Sequence, residues 1–227
     1  MNLKYKILPF TLFTFLLVLS ACGGRNQQNE NADKNLSMES DSRAIQNSKD
    51  SAANMHNQHK NLADSFAHKD IVILDNPYQI IETTKTELEN LIDAYMQIKE
   101  ALFNEDEKAT DKAIVLMLAK VNNVVPTTLS GEGLDAWQNH QKLYLVKLKE
   151  MKHISGLNNK RSYFSHLSEI MYCTIKSFGL KQGHLFAIFC PMAFDGKGAY
   201  WISDSKVVQN PYLGSRMPTC GEVKEEL

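Results

Sequence analysis

The chain has 227 residues, of which 43% are hydrophobic and 22% are charged, a composition in the ordinary range for globular proteins. Its 25 Lys and Arg residues nearly balance its 26 Asp and Glu residues, so the formal net charge is −1. Such a near-neutral chain lacks the basic surface that proteins use to bind nucleic acid, and we therefore exclude nucleic acid as a partner.

The N-terminus has the pattern of a bacterial lipoprotein signal peptide. Lys4 and Lys6 are followed by an apolar stretch, Ile7 to Leu19, that is too short to span a membrane comfortably. The motif at its end, Leu19-Ser-Ala-Cys22, is typical of a lipidation site. We therefore expect residues 1–21 to be removed and Cys22 to carry acyl chains that anchor the protein to a bacterial membrane.

A protein anchored in this way faces the periplasm or the cell surface. Because Gly23 and Gly24 carry no acidic retention signal, the outer membrane is favoured over the inner one. Removal of the signal peptide leaves 23 basic residues against 26 acidic ones, a net charge of −3. The periplasm is oxidising, so disulfides can form there.

Residues 22–75 are predicted to form a disordered tether. They are rich in Asn, Gln, Ser, Asp and Lys, a composition that buries too little apolar surface to offset the entropy of folding. The histidines in this segment, including His68, are interpreted as solvated linker residues. A single folded domain is expected over residues 76–227, an ordinary length for one hydrophobic core.

Four segments at the start of this domain show apolar side chains on one helical face. Thr84-x-x-Glu87 is interpreted as a capping box for the first helix, and Asn104 as the N-cap of the second. The third helix follows the loop Ser130-Gly-Glu-Gly133, and Gly179 ends the fourth. Single-faced helices with short connections predict a mainly α fold, an antiparallel four-helix bundle.

The hydrophobic period changes after the fourth helix. Leu185–Phe189 and Ala199–Ser203 are short, apolar and rich in aromatic residues, and turn residues, Asp195-Gly-Lys-Gly198, lie between them. This arrangement predicts a β-hairpin that forms a turn-rich cap on one end of the bundle. A further tight turn, Asn210-Pro-Tyr-Leu-Gly214, is expected to return the chain toward the hairpin.

The C-terminal segment carries two cysteine–methionine pairs, Cys190-Pro-Met192 and Met217-Pro-Thr-Cys220. The turn residues around them are expected to bring the four sulfur atoms together. Thiolates and thioethers are soft ligands suited to Cu(I), and His184 is a candidate extra ligand. Alternatively, Cys190 and Cys220 form a disulfide that closes a loop of about thirty residues and stabilises the fold by roughly 3–4 kcal/mol. The residue types leave both interpretations open.

The other reactive residue types form no recognisable catalytic pattern. Cys173 lies within the fourth apolar stripe and is expected to be a small buried hydrophobe. His140, His153 and His166 lack the spaced partners of a metal or hydrolase motif, and we interpret them as surface or satisfied histidines. A thiol nucleophile needs a positioned base, and His184 has no orienting partner. We therefore predict a binding module and not an enzyme.

Several of these motifs resemble a bacterial family, domain of unknown function 3347 (DUF3347). The resemblance runs from about Leu91 to Val223. In the helices it rests on Ala94-Tyr95, Ala101-Leu102, Trp137 and Arg161-x-x-Phe164-x-x-Leu-Ser168. In the C-terminal segment it rests on the more specific motifs Cys190-Pro-Met-Ala193, Gly198-Ala-Tyr-Trp-Ile-Ser203, Asn210-Pro-Tyr-x-Gly214 and Met217-x-x-Cys220-Gly221. Phe189 departs from the family pattern, which has tyrosine before Cys-Pro-Met.

Members of that family occur as lipid-anchored or secreted proteins and as a domain appended to copper and heavy-metal efflux adaptors. The resemblance therefore implies metal handling outside the cytoplasm, with heavy-metal efflux components as candidate partners. It implies Cys190, Met192, Met217 and Cys220 as the family's cysteine–methionine set and favours the Cu(I) interpretation. The alternative is a disulfide-stapled interaction module of an efflux or envelope complex. Arg161, interpreted as a surface or helix-packing residue, is assigned no chemistry.

Overall fold

The computed structural model of the protein describes residues 62–227. Its four long helices are α1 (Glu82–Phe103), α2 (Glu107–Asn123), α3 (Gly131–His153) and α4 (Leu157–Phe178). Consecutive helices pack against one another, and α1 also contacts α4. The predicted mainly α class is confirmed, and these contacts fit the predicted bundle. Cys22, the signal peptide and most of the predicted tether lie outside the described residues.

The core of the bundle consists of the apolar stripes recognised in the sequence. Trp137 and Tyr144 of α3 are fully buried, and so are Tyr95 of α1 and Phe164 of α4, whose rings stack with centroids 5.0 Å apart. Burying one such large side chain stabilises a fold by roughly 1.5–3 kcal/mol. Within residues 62–227, no helix has the length and apolar character needed to cross a membrane.

The predicted capping box of the first helix is wrong. α1 begins at Glu82, so Thr84 lies inside its first turn, where its hydroxyl is 2.6 Å from that of Thr128. Glu87 likewise points away from the helix terminus and accepts a hydrogen bond from the backbone N–H of Val125 at 3.2 Å. Both side chains therefore connect α1 to the segment that follows α2.

The ends of the other helices are set by residues at or next to their termini. Asp106, and not Asn104, caps α2, because its carboxylate accepts a hydrogen bond from the backbone N–H of Ala109 at 2.9 Å. α3 begins at Gly131, so the predicted glycine-rich loop belongs largely to the helix. Gly179 ends α4 with left-handed dihedral angles (φ 59°, ψ 43°), as predicted, a conformation that favours glycine.

Three short strands follow the helices: β1 (Phe186–Cys190), β2 (Ala199–Ser203) and β3 (Glu222–Glu226). They form one antiparallel sheet in the order β2-β1-β3, with Phe189 paired to Tyr200 on one side and to Glu222 on the other. The predicted hairpin is confirmed as β1 and β2. Strand β3 was missed because its sequence, Glu-Val-Lys-Glu-Glu, lacks an alternating apolar pattern, as is common in edge strands.

The folded region begins earlier than the predicted boundary at residue 76. Phe66 is only 3% exposed, with its ring centroid 5.1 Å from that of Tyr172 and 5.4 Å from that of Tyr200. Glu169 of α4 accepts a hydrogen bond from the backbone N–H of His68 at 3.1 Å. Residues 62–75 therefore pack on the domain, because this polar segment contains enough apolar side chains to bury.

Buried hydroxyl groups join the sheet to the bundle. The hydroxyl of Tyr95 lies 2.7 Å from that of Ser168 and accepts a hydrogen bond from the backbone N–H of Ile202 at 3.0 Å. The hydroxyl of Tyr212 donates to the carbonyl of Tyr200. Burial raises the pKa of Tyr95 well above its ordinary value, so this hydroxyl stays protonated. Because buried polar groups need partners, these bonds favour one position of the sheet on the helices.

Candidate functional site

Cys190 is placed by the hydrophobic core. It is the last residue of β1, pairs with Ala199 of β2, and its side chain is fully buried. Pairing with β2 and burial in the core therefore set the position of this sulfur, because the pairing of β1 with β3 ends one residue earlier, at Phe189.

The turn after Cys190 has an unusual backbone. Phe194 and Asp195 both adopt left-handed dihedral angles, with φ of 53° and 58°, which L-residues with side chains rarely do. Gly198 closes the turn with φ of 78°, and a Cβ atom there would clash with the ring of Phe189. The turn therefore requires glycine at this position and holds Met192 at the surface, beside the end of β1.

Cys220 reaches Cys190 from a different part of the chain. It precedes β3, and its backbone N–H donates to the carbonyl of Met217 at 3.2 Å. The next residue, Gly221, lies so close to the core that a Cβ atom would be 2.6 Å from Cη2 of Trp201. A glycine after Cys220 thus allows the chain to lie against the sheet at this point.

The sulfur atoms of Cys190 and Cys220 lie 2.8 Å apart, and both thiols are free. Their mutual hydrogen bond raises the pKa of the Cys220 thiol, with further increases from burial and from the charge of Cys190. A hydrogen bond from the backbone N–H of Met192 acts in the opposite direction and favours the thiolate. Two thiols this close can share a proton, be oxidised together or lose protons to a metal ion.

Met192 and Met217 line one groove of about 420 Å³, and neither Cys190 nor Cys220 is among its lining residues. The two methionine side chains are 53% and 43% exposed, which is unusual for large apolar residues, and Phe194 and Tyr212 also line the groove. We use the term sulfur site for Cys190, Met192, Met217 and Cys220. The structure thus brings the two cysteines into contact and places the two methionines in one groove.

His184 is not brought to the sulfur site. It lies before β1, whereas Cys190 is the last residue of that strand. Five residues lie between them, and the strand alone, at about 3.3 Å per residue, spans roughly 13 Å. His184 is exposed, and its backbone N–H donates to the carbonyl of Lys181 at 3.1 Å. The candidate extra ligand is therefore placed at the opposite end of the strand.

Two of the helix histidines are buried. His140 of α3 lies 2.6 Å from the carbonyl of Val72 and 3.2 Å from the hydroxyl of Thr174, and burial lowers its pKa to about 4. It is a satisfied core histidine, as expected. The ring of His166 stacks on that of His68 at 3.2 Å, and burial, followed by the charge of His68, lowers its pKa to about 4.

The expectation that His68 is a solvated linker residue is wrong. Its Nδ1 lies 2.7 Å from Oε2 of Glu169, which fixes the ring between that carboxylate and His166. Cys173 is buried, as expected, and burial together with the charge of Glu169 raises the pKa of its thiol to about 12. A thiol that remains protonated in this way is a poor nucleophile and a poor metal ligand.

Two residues close to the sulfur site were not assigned a role from the sequence. Arg161 is 4% exposed, and its Nε donates to the carbonyl of Pro211 at 2.9 Å, so it is not a surface residue. Asn210 is fully buried, and its Nδ2 donates to the carbonyl of Cys220 at 2.6 Å. Both belong to motifs that the sequence made visible, but their roles depend on contacts between distant segments.

Within the described residues, no group of three or more His, Cys, Asp and Glu side chains is arranged to hold a metal ion. A soft-metal site here would depend on two thiols and on thioethers, and hard cations would lack the oxygen ligands that they prefer.

The fold and the site define a helical bundle with a small C-terminal sheet that carries a thiol pair. Residues 91–183 match the model of a family described as protein of unknown function, DUF3347. The match covers most of α1 and continues through α4, and it ends before Cys190, so it does not include the sulfur site. No curated protein matches the chain, and neither does any solved structure.

Proposed function

We propose that this protein is a membrane-anchored extracytoplasmic lipoprotein whose sulfur site binds a soft metal ion, Cu(I), in heavy-metal handling. The observation that carries the proposal is the 2.8 Å distance between the sulfur atoms of Cys190 and Cys220, and the exposed Met192 and Met217 that follow and precede them in the chain add two thioethers. Soft sulfur ligands favour Cu(I) over Mg²⁺ or Ca²⁺. The anchor would be at Cys22, and heavy-metal efflux components are the proposed partners.

The exposure of the four residues of the sulfur site suits a site that can take up and release a metal ion. Cys190 is buried and held by β1, whereas Cys220 is partly exposed, and both methionines are accessible to solvent. Because the pKa of Cys220 is raised, binding would release protons and strengthen as the pH rises. We assign the site no catalytic step and propose a binding module.

Anaerobic titration of the reduced protein with Cu(I) tests this proposal. The Cys22→Ala background removes the thiol of the lipidation site, so the remaining thiols are those of the folded domain. We expect stoichiometric binding that is lost in Cys190→Ser and Cys220→Ser and weakened in Met217→Leu. Cys173→Ala is the matched control, because this thiol is buried with a pKa near 12, and it should bind like the parent. Binding that survives loss of both Cys190 and Cys220 would disprove the proposal.

The same distance also favours a second candidate, a disulfide-stapled interaction module. A disulfide bond is about 2.05 Å long, so a small movement of either residue would allow the bond to form. It would stabilise the fold by roughly 3–4 kcal/mol, by the chain-entropy estimate for a loop of about thirty residues. This candidate is favoured if the reduced protein binds no Cu(I) and the oxidised protein unfolds at a much higher urea concentration than the reduced one.

A further inference from the structure

The two thiols are held by different kinds of structure. Cys190 lies in the central strand of the sheet, whereas Cys220 lies in a segment without helix or strand, between a 3₁₀ turn (Gly214–Arg216) and β3. An irregular segment has few backbone hydrogen bonds of its own, so other groups must fix the position of its side chains. The location of the Cys220 sulfur therefore depends on the contacts of this loop.

Asn210 supplies most of these contacts. Its backbone N–H donates to the carbonyl of Pro218 at 2.9 Å, and its Nδ2 donates to that of Cys220 at 2.6 Å. Its Oδ1 accepts hydrogen bonds from the backbone N–H groups of Tyr212 at 2.8 Å and Leu213 at 3.0 Å. One fully buried amide thus joins the start of the loop to its end.

Arg161 fixes the start of the loop to the bundle. Its Nε donates to the carbonyl of Pro211, and its Nη2 lies 3.3 Å from the carbonyl of Leu102 and 3.2 Å from Oε1 of Glu105. Hydrogen bonds with Ser215 and then Arg161 lower the pKa of Glu105, so this carboxylate stays charged. The residue after Asn210 is therefore bound to the end of α1 through one buried guanidinium group.

We propose that Asn210 is the positioning residue of Cys220, and that its Nδ2 hydrogen bond holds this thiol against Cys190. The inference deepens the proposed function and rests on it for its biological meaning. The positioning role can be tested separately from metal binding, since it concerns how closely the thiol of Cys220 is held to that of Cys190 and not which metal binds. Asn210 contacts no sulfur atom through its side chain and acts through the backbone of Cys220.

The equilibrium between thiols and disulfide directly measures the effective concentration of one thiol at the other. When oxidised glutathione reacts with the pair, each cysteine sulfur loses a proton and together they lose two electrons. One S–S bond forms between Cys190 and Cys220, one S–S bond of glutathione is broken, and two molecules of reduced glutathione leave. A loop that holds Cys220 less firmly makes the protein disulfide less favourable relative to that of glutathione.

The test is the reduction potential of the pair in Asn210→Asp. Aspartate has nearly the same shape and keeps an oxygen for the N–H groups of Tyr212 and Leu213, but as a carboxylate it has no donor for the carbonyl of Cys220. We expect the equilibrium constant for disulfide formation to fall about tenfold, a shift of about 30 mV toward easier reduction. The measurement uses glutathione buffers, alkylation and mass spectrometry, in the Cys22→Ala, Cys173→Ala background.

Asn139→Asp is the matched control. Asn139 makes the same kind of contact far along the chain from the thiols, since its Oδ1 accepts from the N–H of Val72 and its Nδ2 donates to the carbonyl of Asp70, both at 3.0 Å. Its replacement should leave the potential within about 5 mV of the parent, less than a twofold change. An unchanged potential in Asn210→Asp, or an equal shift in the control, would overturn the inference.

A measurement on the parent protein covers the case in which Asn210→Asp does not fold. The amide protons of Tyr212 and Leu213 should exchange at least a hundredfold more slowly than in an unfolded peptide, because Asn210 accepts from both. Unprotected amides would contradict the proposed role. If the parent binds no Cu(I) but the potential shifts as expected, the metal function fails and the positioning role stands. If the parent binds Cu(I) but the potential of Asn210→Asp does not shift, the positioning role fails and the metal function stands.

Discussion

The sulfur atoms of Cys190 and Cys220 lie 2.8 Å apart, although the residues are 30 positions apart in the chain. One of them is fixed by strand pairing and the other by the side-chain hydrogen bonds of a loop. This difference makes the pair asymmetric, because Cys190 is buried within the core and Cys220 is partly accessible. Any ligand or oxidant would therefore reach the pair from the side of Cys220.

The lipid anchor is a prediction about residues outside the described range. The motif Leu19-Ser-Ala-Cys22 predicts that cells labelled with a fatty-acid analogue incorporate the label into the parent protein. Cys22→Ala should be unlabelled, because it lacks the thiol that accepts the lipid, while Cys173→Ala should be labelled normally. Incorporation into Cys22→Ala at the level of the parent would show that the anchor prediction is wrong.

Tyr95→Phe should weaken the attachment of the sheet to the bundle. The change leaves the buried N–H of Ile202 without its acceptor and removes one hydrogen bond of Ser168, which keeps its bond to the carbonyl of Phe164. We expect the free energy of unfolding to fall by about 1–3 kcal/mol, measured by urea denaturation. Tyr78→Phe is the control, because its hydroxyl contacts Ser130 at the surface, and it should cost less than about 0.5 kcal/mol. If the two variants lowered the free energy of unfolding equally, the result would argue against a stabilising role for the buried hydrogen bonds of Tyr95.

Stability should fall as the pH decreases from about 6.5 to about 4. Burial lowers the pKa of His140 to about 4 in the folded state, so the folded state favours the neutral ring. The stabilisation is complete above the unfolded pKa of roughly 6.5 and is lost as the pH falls toward the folded value. One such histidine should cost about 2 kcal/mol between pH 7 and pH 5, measured by urea denaturation.

His140→Gln should show a smaller loss of stability over this pH range than the parent, because one of the titrating groups is gone. Part of the loss should persist, since the pKa of His166 is also lowered to about 4. His153→Gln is the control: its ring is at the surface, 2.7 Å from the carbonyl of Lys149. If His140→Gln keeps the pH dependence of the parent, this histidine does not titrate as described.

Glu169→Gln should release the segment that precedes α1. The Glu169 carboxylate accepts hydrogen bonds from the backbone N–H groups of Ala67 and His68 and pairs with the His68 ring, and the amide cannot satisfy all three. We expect limited proteolysis near residues 62–70 to become at least tenfold faster, as expected for a loss of about 1.4 kcal/mol or more.

Glu150→Gln is the control for that experiment, because Glu150 forms only an exposed pair with Lys147 at 2.9 Å, a contact of little energetic value. In the parent and in the control, the protease-resistant core should begin near residue 62. A core that begins near residue 76 in the parent would restore the boundary predicted from the sequence and contradict the packing of Phe66.

Much of the fold could be predicted because its signals are local. The apolar stripes of the four helices, the hairpin and the glycine at the end of α4 each depend on residues within a few positions of one another. The signals for β3 and for the cap of α2 were weaker. A charged edge strand has no apolar period, and Asn104 and Asp106 are both plausible caps until the helix register is known.

The candidate site was only partly accessible to such reasoning. Turn residues around the cysteine–methionine pairs predicted that Cys190 and Cys220 lie close together, because Pro and Gly at turn positions restrict the path of a short segment. The same reasoning could not place His184, which the strand direction carries away from the pair. Arg161 and Asn210 were missed for a similar reason, since nothing in a linear motif shows which distant carbonyl group a side chain will reach.

The sequence by itself therefore determined the helical class and the hairpin, and its turn residues predicted that the two cysteines lie close together. Each follows from periodicity or turn chemistry over short separations, where the chain has few alternatives. Only the tertiary structure decided which polar groups are buried together: Glu169 with His68, Tyr95 with Ile202, and Asn210 with Cys220. Such pairs form because burial removes water from groups that must still be hydrogen-bonded, and the available partner is set by packing and not by sequence separation.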